Sequence, residues 1–279
     1  MYNFCIKKFA AFQKGIRTDI DMQNMILLCE DSVEGILTGV YEAYALHAEH
    51  SATHLQATGI DNYCLFTTYQ EIAPDPEKSK KVLRTIARRF GPDAYAHLFR
   101  AMVSYDQEKA DAVYHTIVIG LSNQYNGKLM EHLSNPYIHK VFTLSRNTIG
   151  EYDHLRGFLR FQELKGGILL ARYKPKNDIT AMLMPHFADR LPKENFAIYD
   201  EGRHFYAVHP KGQQWYMVRG DLPFHKDEIE YSQEEKEYQA LYRHFCQTIA
   251  IKERKNQNLQ RNMLPLRFRE YMPEFYLDN

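Results

Sequence analysis

The chain reads as an α+β protein: a helical amino-terminal part started by one leading strand, then an antiparallel sheet in the carboxyl-terminal half flanked by helices. Three observations predict this. Apolar residues recur at helical spacing from Val33 to Ile149, the pattern turns to alternation after Gly150, and glycine- or proline-marked turns separate the alternating segments. At 279 residues and 44% hydrophobic content there is enough apolar side chain for two compact cores. The parts fall at 25–150 and 151–279, with residues 1–24 as a leader outside the core or a mis-called start.

Met25–Cys29 is an apolar run of strand length. Asp31 and Glu34, three apart, resemble a capping box, and Val33, Ile36, Leu37, Val40, Tyr41 and Tyr44 then share a helical face. Tyr63–Tyr69, rich in rings and β-branched residues, reads as a strand or an extended link. Asp75-Pro76 supplies an N-cap and a first-turn proline for a helix over 76–90, which Gly91 ends. Pro92 reopens a helix through Tyr105, a third runs from Gln107 to Leu121, and Asn135-Pro136 starts a fourth with Ile138, Val141, Phe142 and Ile149 on one face.

Beyond Gly150, the segments Phe158–Phe161, Gly167–Tyr173, Phe196–Tyr199, His204–Val208 and Gln214–Val218 read as strands. Lys165-Gly166 and Glu201-Gly202 fit tight hairpin turns, because glycine supplies the positive φ such turns require. A short helix over Met184–Leu191 crosses between strands. Ser232 with Glu235 opens a last long helix, whose Tyr238, Leu241, Tyr242, Phe245, Ile249 and Ile251 are expected to face inward. The Asn- and Arg-rich tail is expected to strap across the sheet through Leu259, Met263, Leu264 and Phe268.

Positive and negative side chains balance at 35 each, which excludes a globally basic nucleic-acid binder and confines any polyanion surface to a local patch. Cys5, Cys29, Cys64 and Cys246 are far apart and lack CxxC spacing, so neither a zinc knuckle nor an iron–sulfur cluster is encoded. Reduced thiols in a cytoplasmic protein are expected. Residues 1–24 contain no apolar run of membrane length, and no membrane partner is expected.

Four groups of residues carry candidate chemistry. If Arg156, Phe158 and Arg160 sit on one strand they share a face, and guanidinium forks beside a ring suit phosphates and bases; the plain alternative is sheet packing with each arginine paired to a carboxylate. Lys80, Arg84 and Arg88 recur every four residues as a basic helical stripe, suited to phosphates or simply to water. His186, Arg190, Asp200 and Arg203 could converge after the crossing helix, where a carboxylate orienting a histidine makes a general base, or could form structural Asp–Arg pairs. Tyr199 offers a ring nearby. In the tail, Arg254, Asn256 and Arg267 suit base edges or a protein groove. His47, His50 and His54 invite a metal, but no cysteine or carboxylate is placed to complete a tetrahedral set, so none is expected.

At Glu34-Gly35, Ala43-Tyr44, Gly157, Leu159-Arg160-Phe161, Glu163-Leu164, the run Pro185 to Arg190 and Ile198-Tyr199-Asp200, the chain resembles a bacterial family of DNA-metabolism or DNA-repair proteins of unknown function. The likeness continues through Arg254, Asn256, Leu259-Gln260, Met263, Pro265, Arg267 and Pro273-Glu274, and so covers Met25 to the carboxyl terminus. The family's core domain also occurs fused behind a uracil-DNA glycosylase domain. The resemblance implies a role in DNA repair or modification beside a radical SAM protein encoded nearby. It puts the iron–sulfur cluster and S-adenosylmethionine on that partner, leaves no cofactor in this chain, and brings no catalytic residue.

Three departures matter. Asp153-His154 stands where the family usually has a histidine and a basic residue, Tyr242 and Arg269 replace two tail tryptophans, and glycosylase chemistry is not carried over. The expected function is a DNA repair or modification factor that binds DNA or a nucleobase through its Arg/aromatic surface. A stand-alone nucleotide or nucleic-acid hydrolase using His186 and Asp200, and a non-catalytic assembly module, are the alternatives.

Overall fold

A computed structural model describes residues 24–47, 49–57, 59, 63–122, 128–221 and 229–275; of the expected leader, only Asn24 lies among them. The architecture is mixed α+β, in two compact units, Met1–Asn147 and Thr148–Asn279. Among the described residues no helix is long and apolar enough to cross a membrane.

The first unit contains β1 (Asn24–Cys29), α1 (Val33–Ala45), β2 (Thr53–Gln56), β3 (Thr67–Ile72), α2 (Pro76–Met102) and α3 (Lys109–Leu121). Its strands form a parallel sheet in the order β2-β1-β3, with Met25 opposite both Thr53 and Thr68. The single leading strand expected from sequence is therefore the centre of three. Strand β2 escaped notice because four residues are too few to display an alternation, and α1 supplies the crossover that a parallel neighbour needs.

Ser32, rather than Asp31, caps α1, its Oγ accepting from the Gly35 N–H at 2.9 Å. Asp75 Oδ1 caps α2 by accepting from the N–H groups of Glu77 and Lys78 at 2.9 and 3.1 Å. As expected, α2 is two helical arms, one on each side of Gly91, which leaves the helical conformation at φ 78° ahead of Pro92. Leu27, Ile36, Leu37, Leu98, Val113, Ile117 and Ile138 form the centre of this unit's core.

Helix α4 (Pro136–Phe158) runs straight through Gly150. Ile138, Val141, Leu144, Ser145, Thr148, Glu151 and Leu155 are all buried along it, so the helical period persists where a change to alternation was expected. Arg156 and Phe158 are thus helical residues, and Arg160 lies in the link to the next strand. The shared strand face proposed for these three residues does not form.

The second unit continues with β4 (Phe161–Glu163), β5 (Leu169–Tyr173), α5 (Thr180–Arg190), β6 (Phe196–Asp200), β7 (Phe205–His209) and β8 (Tyr216–Arg219). The sheet order is β4-β5-β6-β7-β8. Every neighbouring pair is antiparallel except β5 and β6, because α5 crosses between those two and returns the chain in the same direction. Gly166 and Gly167, with φ of 118° and 77°, turn β4 into β5.

Ser232 opens α6 (Gln233–Thr248), its Oγ accepting from the Glu235 N–H at 3.0 Å. Contrary to expectation, Tyr238, Leu241, Tyr242, Phe245, Ile249 and Ile251 are exposed. Periodicity identifies an apolar face, but burial depends on what packs against it. The tail adds α7 (Gln257–Met263) and α8 (Leu266–Arg269). Phe268 and Met272 enter the core with Phe187, Phe196 and Ile198, and Leu264 packs against it, whereas Leu259 and Met263 are exposed. The strap is shorter than the sequence suggests.

Candidate functional site

Two helices of the second unit end on basic residues. Arg156 lies in the last turn of α4, and His186 and Arg190 sit one turn apart on α5. Partial burial, then the positive charges of Arg156 and Arg190, outweigh Asp189 and hold the His186 pKa below the usual histidine value. Both guanidiniums therefore act on one imidazole.

Neither is tightly neutralised. Arg156 rests over the Tyr152 ring, 5.5 Å from its centroid, and comes no nearer than 3.7 Å to the exposed Asp153 carboxylate. Arg190 is exposed and has no ion-pair partner among the described residues. On another face of α4, His154 stacks on Phe158, with centroids 5.6 Å apart and planes 15° from parallel, and Phe158 leans on Phe268. Two forked cations and an imidazole suit phosphate oxygens, and the ring pair suits a base.

The other candidates in this unit are engaged. Arg160 donates from Nε and Nη2 to Glu274 Oε1 at 3.1 and 2.8 Å, and from Nη1 to the Gly157 carbonyl at 2.7 Å. Arg203 donates to Asp200 Oδ2 at 3.1 Å and to the carbonyls of Pro175 and Lys176 at 3.3 and 2.6 Å. The fully buried Asp200 also accepts from the N–H groups of Gly202 and Arg203, and burial raises its pKa against these donors. Asp200 thus caps the β6–β7 turn, and among the described residues no hydrogen bond joins it to His186.

Tyr199 is buried against Tyr206, with centroids 4.6 Å apart. Arg267 reaches Glu151 at 3.2 Å and lies over Phe268. Asn256 caps α7, its Oδ1 accepting from the Leu259 N–H at 3.0 Å, while Arg254 is exposed.

In the first unit, Lys80, Arg84 and Arg88 are exposed along the first arm of α2. Lys80 pairs with Glu77 at 2.9 Å; Arg84 and Arg88 have no ion-pair partner within 4 Å among the described residues. The three histidines first considered together separate. His47 ends α1 with φ 50°, His50 Nδ1 meets the Tyr114 hydroxyl at 2.6 Å, and His54 turns toward α3.

His54 Nδ1 lies 3.1 Å from Asp111 Oδ1, and His115 Nε2, one turn farther along α3, lies 3.4 Å from the same oxygen. The Leu55 N–H also donates to it, at 3.2 Å. Burial opposes the charge on Asp111, but His115 and His54 outweigh it and bring the carboxyl pKa down to about 2. The hydrogen bond with Asp111 in turn raises the His54 pKa against its own desolvation. His54 and Asp111 line a cavity of about 550 Å³ with Gln56, Gln107, Glu108, Tyr137 and Lys140.

Sequence reasoning named His54 but missed Asp111 and His115. Their four-residue spacing on an expected helix was the available signal. The partner 57 residues away was not readable locally.

Residues 107–274, more than half of the chain, match the family model DUF4130, a domain of unknown function. The match takes in Asp111, His115, Arg156, His186, Arg190 and Glu274, and leaves His54 outside. No curated protein matches the chain.

Proposed function

The chain belongs to the DUF4130 family, whose function is unknown, and from that premise we propose that it is a DNA-binding factor of repair or modification that works with a radical SAM enzyme. It holds a phosphodiester between Arg156 and Arg190 beside His186. One observation carries this reading: Arg190, one turn from His186 on α5, and Arg156 are both exposed, and neither is locked by hydrogen bonds to a carboxylate. An approaching phosphate gains charge-assisted hydrogen bonds without first breaking an internal ion pair.

The His154–Phe158 stack, two residues to either side of Arg156 on α4, offers a flat surface to an unpaired base. Arg84 and Arg88 on α2 add positive charge that favours salt-sensitive association. The partner is proposed from the likeness of the arginine segment and the tail to DNA-metabolism proteins. In that assignment the cluster and S-adenosylmethionine reside on the partner, and this chain binds and orients DNA.

Fluorescence anisotropy with a single-stranded oligonucleotide over a salt series tests the binding. Arg156→Ala and Arg190→Ala should each weaken binding about fivefold or more and lower the salt slope by about one. Wild-type affinity in the double variant would overturn the reading. Co-purification of the tagged chain with the radical SAM protein tests the partner separately.

A further inference from the structure

We infer that His54, Asp111 and His115 form a binding site for one divalent first-row transition-metal ion, in the first unit and independent of the DNA reading. One donor atom from each residue lies within 4.8 Å of the others. Two imidazoles and one carboxylate are the donor set of mononuclear zinc and non-haem iron sites that keep coordination positions open.

The two separations that Asp111 makes fit a shared ion. Arms of roughly 2.1 Å at tetrahedral or octahedral angles place neighbouring donors roughly 3.0–3.4 Å apart. Asp111 Oδ1 stands 3.1 Å from His54 Nδ1 and 3.4 Å from His115 Nε2.

A second observation is independent of the clustering. The His115 side chain is only 9% exposed, and its Nε2 is buried without a hydrogen-bond partner although it faces the carboxylate. Native proteins rarely leave such a nitrogen unpaired, and an ion between it and Asp111 would pair it. The rings are already held in place. His115 stacks on Tyr137 at 4.2 Å and 25°, His54 meets its edge at 5.5 Å, and the Leu55 N–H orients the carboxylate.

The open side of the site faces the cavity, where Gln56, Gln107 and Tyr137 surround room for water and a small oxygen-donor ligand. Lys140 also lines that space, but Asp106 at 3.1 Å and Glu108 hold its ammonium, so among the described residues no lysine pairs with Asp111.

The test uses the full chain, stripped with a chelator, then titrated with Zn²⁺ by calorimetry and with Co²⁺ by visible absorption. One ion per chain is expected. Asp111→Asn and His115→Ala should each weaken binding about tenfold or more, and His244→Ala on α6 should leave it unchanged. His54→Gln changes a half-exposed ring and should weaken binding equally with an unaltered circular-dichroism spectrum, so it decides the matter if the α3 variants fold poorly. Absence of saturable binding, or equal affinity in His54→Gln and wild type, would leave the trio as a hydrogen-bonded His–Asp–His cluster and overturn the inference.

Discussion

Arg160 reaches Glu274 across 114 residues of chain, donating from Nε and Nη2 to a single carboxylate oxygen at 3.1 and 2.8 Å. The pair latches the end of the tail, with buried Met272 and Pro273, onto the link between α4 and β4. The Glu274 side chain is 8% exposed, so losing the guanidinium strands a buried charge, while Arg160 at 26% exposure keeps some access to water. Arg160→Ala should lower the unfolding free energy by about 2–4 kcal/mol, somewhat less than breaking a fully buried pair. Urea denaturation measured beside DNA affinity separates the roles. Unchanged stability with lost binding would return Arg160 to the binding surface.

Glu151 is the second anchor of that unit. It accepts from the Lys176 and Asn177 N–H groups at 3.1 and 2.9 Å and from Asn177 Nδ2 at 2.7 Å, and it pairs with Arg267 at 3.2 Å. One buried carboxylate thereby joins α4, the loop before α5 and the tail. Glu151→Ala should destabilise by about 3–5 kcal/mol, because several buried donors lose their acceptor together. A loss below 1 kcal/mol in denaturant unfolding would show that water replaces the carboxylate at about the usual net value of one hydrogen bond.

His186 gives a pH test of the phosphate site. Its folded pKa lies below the ordinary histidine value, so the unfolded chain holds the proton more tightly. The corresponding stability is complete above the unfolded value and is lost as pH falls through the folded one. NMR titration should place the His186 midpoint below that of an unperturbed histidine and move it upward in Arg156→Ala. Added oligonucleotide should also raise it, since phosphate offsets the two guanidiniums. A midpoint indifferent to oligonucleotide would place the phosphate elsewhere.

Two glycines in helices should respond oppositely to alanine. A Cβ on Gly35 would overlap the Glu30 carbonyl oxygen and stand 2.9 Å from the Glu30 Cβ, whereas one on Gly150 would meet nothing within 4 Å. Gly35→Ala should cost about 1–3 kcal/mol despite alanine's helix preference, and Gly150→Ala should stabilise by about 0.5–1 kcal/mol. Thermal unfolding of the pair checks the contrast. Stabilisation by both would mean that α1 shifts freely away from Glu30.

Local chemistry in the sequence determined where most elements begin and turn. Asp75-Pro76, Asn135-Pro136, Ser232 with Glu235, and the glycines after Lys165 each act through bonds to near neighbours, so a few residues suffice to read them. Tertiary structure decided the rest. It carried α4 past Gly150 because buried contacts continue on that face, and it recruited β2 and β3 beside β1. It turned Arg160 and Arg267 inward to Glu274 and Glu151, left Arg156 and Arg190 without a hydrogen-bonded carboxylate, and brought His54 to Asp111 and His115. A cap is a short-range hydrogen bond with a local signature. The partner of a charged side chain is fixed by which distant segments pack together, and spacing along the chain does not record that.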